Sequence, residues 1–124
     1  MVQVETAQLT AECESWRQVL RLYREEFSQD KTKLQLAASR TLSKDQLQQV
    51  EHLHNQFHIQ LINIHDLKQA IKNHDRKIGY EMREQKGLNE ETVAEHETLF
   101  NQYQTLEHTL QELREEFSGF LSRT

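Results

Sequence analysis

Histidines are concentrated in the middle of this chain, where imidazole groups could bind a metal ion or transfer a proton. Five of the seven histidines lie between residues 52 and 74. Glu51, His54 and His58 follow one another at spacings of three and four residues, so a helix places them on one face. A Glu-x-x-His element belongs to the ligand set of carboxylate-bridged di-metal sites in helical bundles.

Asp30 completes this candidate site, because the helix register derived below places it opposite His54. One interpretation is a metal site formed by Asp30, Glu51, His54 and His58. The other is a buried, charge-assisted hydrogen bond between Asp30 and His54 that fixes the register. A di-iron centre needs carboxylates from several helices, and the third predicted helix has none at this level. We therefore predict no metal and no cofactor, and retain the four residues as the alternative.

The remaining reactive side chains fit the core better than a catalytic site. Cys13 is the lone cysteine and lies in an apolar repeat, where burial makes a thiol inert and raises its pKa. His74 is predicted to face Tyr103 and to form a hydrogen bond with it in the core, and His96 also occupies a position of the repeat. No glycine-rich phosphate loop or Ser/Cys–His–acid arrangement is evident, so we predict no catalytic residue and no enzyme.

The elements that would position these residues are three amphipathic helices. Apolar residues recur at alternating spacings of four and three, which is the period of packed, supercoiled helices. The chain also has no proline and only three glycines, as long uninterrupted helices require. The repeats contain the following residues: Leu9, Cys13, Trp16, Leu20, Tyr23, Phe27 and Leu34; Val50, Phe57, Leu61, Ile64, Leu67, Ile71 and Ile78; Leu99, Tyr103, Leu106, Leu110, Leu113, Phe117 and Phe120.

Two short breaks separate the repeats. In the first, Ser43 and Gln46 have the spacing of a capping box. In the second, Gly87 suits the left-handed position after a helix, and Asn89 suits the N-cap of the next helix. We predict one all-α domain over residues 1–124, an antiparallel up-down-up three-helix bundle with long coiled-coil-like helices. Its helices are predicted at about 5–38, 44–86 and 90–121.

The register of the bundle follows from a symmetry of the repeats. When two adjacent helices are antiparallel, the residue numbers of each pair of facing residues add up to the same sum. Pairs such as Phe27 and Phe57 centre on Leu42, and pairs such as Phe57 and Phe120 centre between residues 88 and 89. Both centres lie inside the breaks, so the periodicity and the capping signals agree. A helical hairpin that completes its core only as a dimer is the alternative topology.

Composition limits the environment and the partners. The formal net charge of −5 disfavours nucleic-acid binding, which needs a cationic surface. The sequence has no apolar stretch of membrane-spanning length and no secretory signal at its start, and a lone cysteine excludes an internal disulfide. We therefore expect a cytoplasmic protein that binds neither nucleic acid nor a membrane.

Apolar residues outside the repeats indicate that the protein acts by binding other proteins. Val19 and Leu22 on the first helix and Ile59 and Ile62 on the second would form a surface for a protein partner or a second copy. The leading hypothesis is a non-enzymatic protein-interaction or scaffold module. The alternative is a metal-binding bundle that uses the His/carboxylate cluster of the second helix. A small-ligand pocket at the aromatic end of the bundle has no further support in the sequence.

One segment of the second helix resembles known sequences. His54–Lys68, HNQFHIQLINIHDLK, is similar to a group of small uncharacterised bacterial all-helical proteins, and the likeness extends to Glu14–Trp16 and Glu112–Phe117. This resemblance implies an all-helical fold and transfers no functional residue. The layout, with a tryptophan in the first helix, also resembles a spectrin repeat, a likeness that many three-helix bundles share.

Overall fold

The protein folds into three long helices. The computed structural model describes residues 2–40 and 42–124, with side chains from residue 6 onward except that of residue 41. Helix α1 covers Val2–Ala38, α2 covers Lys44–Glu84 and α3 covers Glu90–Arg123, and no strand occurs within these described residues. The predicted all-α three-helix bundle is confirmed.

The helices run alternately up and down, and aromatic side chains join them at one level. The ring centroids of Phe27 on α1 and Phe57 on α2 lie 5.2 Å apart, as predicted. The ring of Phe57 also contacts Phe117 on α3, at 5.2 Å in an edge-on arrangement. Edge-on aromatic pairs add about 0.5–1.5 kcal/mol to the free energy gained from burial. This stack therefore ties all three helices together.

The core follows the apolar repeats. Nearly all of the predicted repeat positions are buried, while the opposite face of each helix is polar and exposed, as expected for helices packed along one stripe. The buried apolar side chains include the following: Cys13, Trp16, Leu20, Tyr23, Phe27, Leu34, Leu53, Phe57, Ile64, Leu67, Ile71, Ile78, Leu99, Tyr103, Leu110, Leu113, Phe117 and Phe120.

The first turn ends in the capping box that the sequence predicts. The Ser43 hydroxyl accepts a hydrogen bond from the Gln46 N–H at 3.2 Å, and the Gln46 side chain accepts one from the Ser43 N–H at 2.9 Å. Two backbone N–H donors at the start of α2 are thereby satisfied. The predicted start of α2 is confirmed.

The second turn differs from the prediction. Helix α2 ends at Glu84, and among the described residues the left-handed conformation falls on Lys86 (φ 57°) rather than on Gly87. Asn89 has the extended backbone of an N-cap, but in the part of the chain that the structure describes its side chain forms no capping hydrogen bond. Asn89 is therefore the N-cap residue, as predicted, whereas the predicted left-handed conformation of Gly87 is wrong.

A carboxylate from the preceding helix caps α3 instead. Glu81 Oε1 accepts a hydrogen bond from the Asn89 N–H at 2.9 Å, and Glu81 Oε2 accepts one from the Thr92 hydroxyl at 2.6 Å. Burial raises the pKa of Glu81, but the hydrogen bonds from Thr92 and Asn89, together with the charges of Lys77 and His74, lower it by more, so the pKa lies below its ordinary value. Glu81 is thus held as a buried anion at the positive end of α3.

The register of α3 also differs from the prediction. Phe57 contacts Phe117, one turn earlier in α3 than the predicted Phe120. The Trp16 ring of α1 stacks on Phe100 and Tyr103 of α3, with 5.8 and 5.7 Å between the ring centroids. When one helix slides along its neighbour by one or two turns, the apolar positions of the two helices face each other again. The spacing of four and three residues alone therefore does not fix the register of the two helices. The Glu81 cap does fix it, because it holds the first turn of α3 against the end of α2.

The described helices were also compared with the requirements of a membrane span. In residues 2–40 and 42–124, no helix is both long enough and apolar enough to cross a bilayer.

Candidate metal centre

Three buried side chains, one from each helix, converge at one point of the core. Cys13 of α1, His74 of α2 and His96 of α3 are only 0%, 2% and 6% exposed. Each contributes one ligand atom, and these three atoms lie within 4.8 Å of one another. His74 Nε2 and His96 Nδ1 are 3.0 Å apart, and Cys13 Sγ lies 3.9 Å from His96 Nδ1.

The helical repeat places these residues in the core. His74 lies between Ile71 and Ile78 at spacings of three and four, so it occupies a position that would otherwise be apolar. His96 has the same spacing from Leu99, and both are buried. Burying an imidazole is costly unless its ring nitrogens find partners. The two histidines and Cys13 therefore gain by meeting in one layer.

The outward nitrogens of both histidines are bound to carboxylates. His74 Nδ1 lies 2.6 Å from Glu95 Oε1, and His96 Nε2 lies 3.1 Å from Glu12 Oε1. An ionised carboxylate only accepts hydrogen bonds, so each of these nitrogens must donate an N–H. This assigns the proton to the outer nitrogen of each ring. Metal-binding histidines carry the same carboxylate partner on the nitrogen that does not bind the metal.

The inner nitrogens, His74 Nε2 and His96 Nδ1, consequently carry no proton when the imidazole rings are neutral. When both rings are neutral, His74 Nε2 and His96 Nδ1 each present a lone pair to the other across 3.0 Å. One shared proton or one metal ion removes this repulsion. Bonds of about 2.0–2.3 Å to a metal place its ligand atoms roughly 3.3–3.8 Å apart. Two of the present separations are 3.0 and 3.9 Å, and all three atoms lie within 4.8 Å of one another. An ion would therefore require the two imidazole nitrogens to move apart.

Burial favours the neutral forms of His96 and Cys13. Burial lowers the pKa of His96, Glu12 partly opposes this, and the charge of His74 lowers the pKa further. Burial and the charge of Asp75 raise the pKa of the Cys13 thiol to about 12, as the sequence predicted in direction. Binding of a metal to Cys13 would have to displace the thiol proton, so its affinity would fall as pH falls.

A cleft leads from the surface to one side of the centre. It has a volume of about 410 Å³, lies between α2 and α3, and is lined by His74 and Glu95 together with Lys77, Leu99 and others. Neither Cys13 nor His96 lines it, and the Trp16 ring covers His96 with 4.8 Å between the ring centroids. An ion would therefore approach through the His74 side and would end in a closed, apolar environment.

The structure does not bring together the four residues that the sequence suggested as an alternative metal site. Asp30 is buried, with Lys33 Nζ at 3.9 Å from its carboxylate, whereas Glu51, His54 and His58 are exposed. The predicted buried hydrogen bond between Asp30 and His54 is wrong, because the His54 side chain lies at the surface. Within the described residues, the group of metal-binding side chains that does converge is Cys13, His74 and His96.

The predicted partner of His74 is also wrong. His74 and Tyr103 are both buried, but His74 binds Glu95 and His96, and the Tyr103 ring stacks on Trp16. The shifted register of α3 explains this exchange, because it moves His96 beside Trp16 and His74. One signal in the sequence points to the contact between His74 and His96: both are polar residues at positions of the repeat that are otherwise apolar, on two helices that face each other.

Comparisons with protein-family models, with curated protein sequences and with solved structures gave no match for this chain. The centre is therefore interpreted from its own geometry.

Proposed function

We propose that this protein is a metal-binding three-helix bundle that holds one transition-metal ion between Cys13 Sγ, His74 Nε2 and His96 Nδ1. The observation that carries this proposal is the direction of the two imidazoles. Each donates its outer N–H to a carboxylate, and the inner nitrogens converge with the only thiol of the chain. Thiolate and imidazole together suit zinc, copper and iron rather than magnesium or calcium.

The proposed ion would act on the fold itself. Its ligands come from all three helices, so binding would cross-link α1, α2 and α3 at one level. A ligand that binds only the folded state stabilises it by about 2.7 kcal/mol at a free concentration of 100 Kd. Such a cross-link suits an ion that stabilises the fold.

Metal analysis and thermal unfolding of the purified chain test the proposal. We expect one bound equivalent of a transition metal after loading and dialysis, with a Tm several degrees above that of the chelator-treated protein. Cys13→Ser and His96→Gln should each abolish this metal-dependent rise. His108→Gln is the matched control, since His108 is exposed and distant in sequence from the centre. Circular dichroism of each metal-free variant separates lost binding from lost folding.

Two results would contradict the proposal. One is a chain that keeps its Tm when zinc, copper, iron, nickel or cobalt is added and removed. The other is a metal-dependent rise that persists in both Cys13→Ser and His96→Gln while both variants remain folded.

A second candidate function is the protein-interaction or scaffold module predicted from the sequence. The supporting observation is a set of large apolar side chains at the surface: Leu22, Ile59 and Ile62 are 53%, 45% and 48% exposed, with Val19 half-buried nearby in α1. Exposed apolar groups close in sequence are typical of contact surfaces.

The oligomeric state tests this second function. Self-association through Ile59 and Ile62 predicts a molar mass above that of the monomer by light scattering, and a monomer for the Ile59→Ser/Ile62→Ser double variant. A wild-type mass equal to 14.8 kDa would remove self-association from consideration.

A further inference from the structure

The donor set of the Cys13–His74–His96 centre discriminates between metals. We infer that the ion it is built for is monovalent copper, held in three-coordinate geometry by one thiolate and two imidazoles. This inference rests on the proposed metal-binding function and specifies its ligand.

The first argument is the number of donors. Zinc in structural sites takes four protein ligands, and zinc in catalytic sites takes three ligands and a water. Across residues 2–40 and 42–124, three metal-binding side chains converge here. Two carboxylates beside the centre, Glu12 and Glu95, are engaged by the outer ring nitrogens, and the carboxylate of Asp75 pairs with Arg17 at 3.8 Å. Each of these carboxylates would have to leave its partner to become a fourth donor.

The second argument concerns water as a fourth ligand. The neighbouring cleft reaches His74 and Glu95 but is not lined by Cys13 or His96. Trp16 lies against His96, and Cys13 is completely buried. A water ligand needs room and further hydrogen-bond partners, and the Trp16 ring takes up the space beside His96. The centre therefore favours an ion that is satisfied by three ligands.

The third argument is charge. One thiolate and one monovalent cation form a neutral unit, whereas a divalent cation leaves a net positive charge in the core. An uncompensated buried charge is costly. Glu12 and Glu95 are partly exposed and separated from the ion by the imidazole rings, and the charge of Asp75 is offset by Arg17 at 3.8 Å. Thiolate is also a soft ligand that selects monovalent copper, and trigonal sites of two histidines and one cysteine are typical of copper.

Competition between metals tests this inference. Metal-free protein is titrated anaerobically with monovalent copper, delivered from a chromophoric copper(I) chelator, in the presence of a 100-fold excess of Zn²⁺. We expect one copper per chain and no bound zinc by elemental analysis. X-ray absorption at the copper edge should show one sulfur and two nitrogen neighbours.

Variants assign the binding to this centre. Cys13→Ser should lose copper altogether against the chelator. Glu95→Gln removes a positioning carboxylate and should weaken copper binding about 10–100-fold, the usual effect of losing such a partner. His108→Gln should bind as the wild type does.

Each alternative outcome overturns a defined part of the argument. Binding of zinc in preference to copper, or a copper ion with four neighbours, refutes the inference and leaves the proposed metal-binding function intact. Binding of neither metal refutes both. Copper that is retained by folded Cys13→Ser lies elsewhere on the chain and also refutes the inference.

Discussion

The carboxylate of Glu81 offers the sharpest test of how this bundle is held together. It is 3% exposed and accepts two hydrogen bonds, from the Asn89 N–H at 2.9 Å and from the Thr92 hydroxyl at 2.6 Å. Hydrogen bonds to charged groups contribute about 1.5–3 kcal/mol each. Glu81→Ala removes both and leaves the buried Thr92 hydroxyl without its acceptor. We expect it to lower the free energy of unfolding by about 3–5 kcal/mol.

Urea unfolding followed by circular dichroism measures this change. Glu84→Ala is the matched control, since it removes an exposed glutamate from the same helix end and should cost no more than about 0.5 kcal/mol. Thr92→Val combined with Glu81→Ala completes a double-mutant cycle, and the coupling energy should fall within about 0.5–3 kcal/mol. Equal effects of Glu81→Ala and Glu84→Ala would refute the capping role.

The pH dependence gives an independent check. Because the pKa of Glu81 is lowered in the folded state, its stabilisation is present above the unfolded value of 4.5 and is lost as pH falls through the folded value. The stability difference between wild type and Glu81→Gln should therefore be largest near neutrality and shrink below about pH 4.5. A difference that grows on acidification would contradict this assignment.

Two further predictions concern the core and a second buried carboxylate. Phe57→Ala should lower the free energy of unfolding by about 3–5 kcal/mol, because Phe57 is fully buried and contacts aromatic rings on both other helices. Urea unfolding measures this change, and a loss below about 1 kcal/mol would contradict that packing. Burial, followed by the charge of Glu26, raises the pKa of Asp30 above 3.8, so this carboxyl opposes folding as pH rises. Asp30→Asn should therefore raise Tm at pH 7, and the gain should vanish near pH 3. A lower Tm than wild type at pH 7 would count against it.

The fold could be predicted from the sequence because two independent signals coincide. The alternating repeat places the core stripe on each helix, and the Ser43–Gln46 capping box marks a helix start by local chemistry alone. The register of α3 could not be predicted in the same way. Its repeat pairs almost equally well one turn away, so the mirror rule matched Phe57 with Phe120 instead of Phe117.

The convergence of Cys13, His74 and His96 could not be predicted for the same reason. Histidines 74 and 96 were both recognised at core positions, but the predicted register separated them and paired His74 with Tyr103. A long-range contact decides the pairing: Glu81 reaches eight and eleven residues forward to Asn89 and Thr92 and sets where α3 begins. That start brings His96 to His74 and Cys13. The same carboxylate that caps α3 therefore also assembles the centre, so Glu81→Ala should loosen the centre although Glu81 does not belong to it.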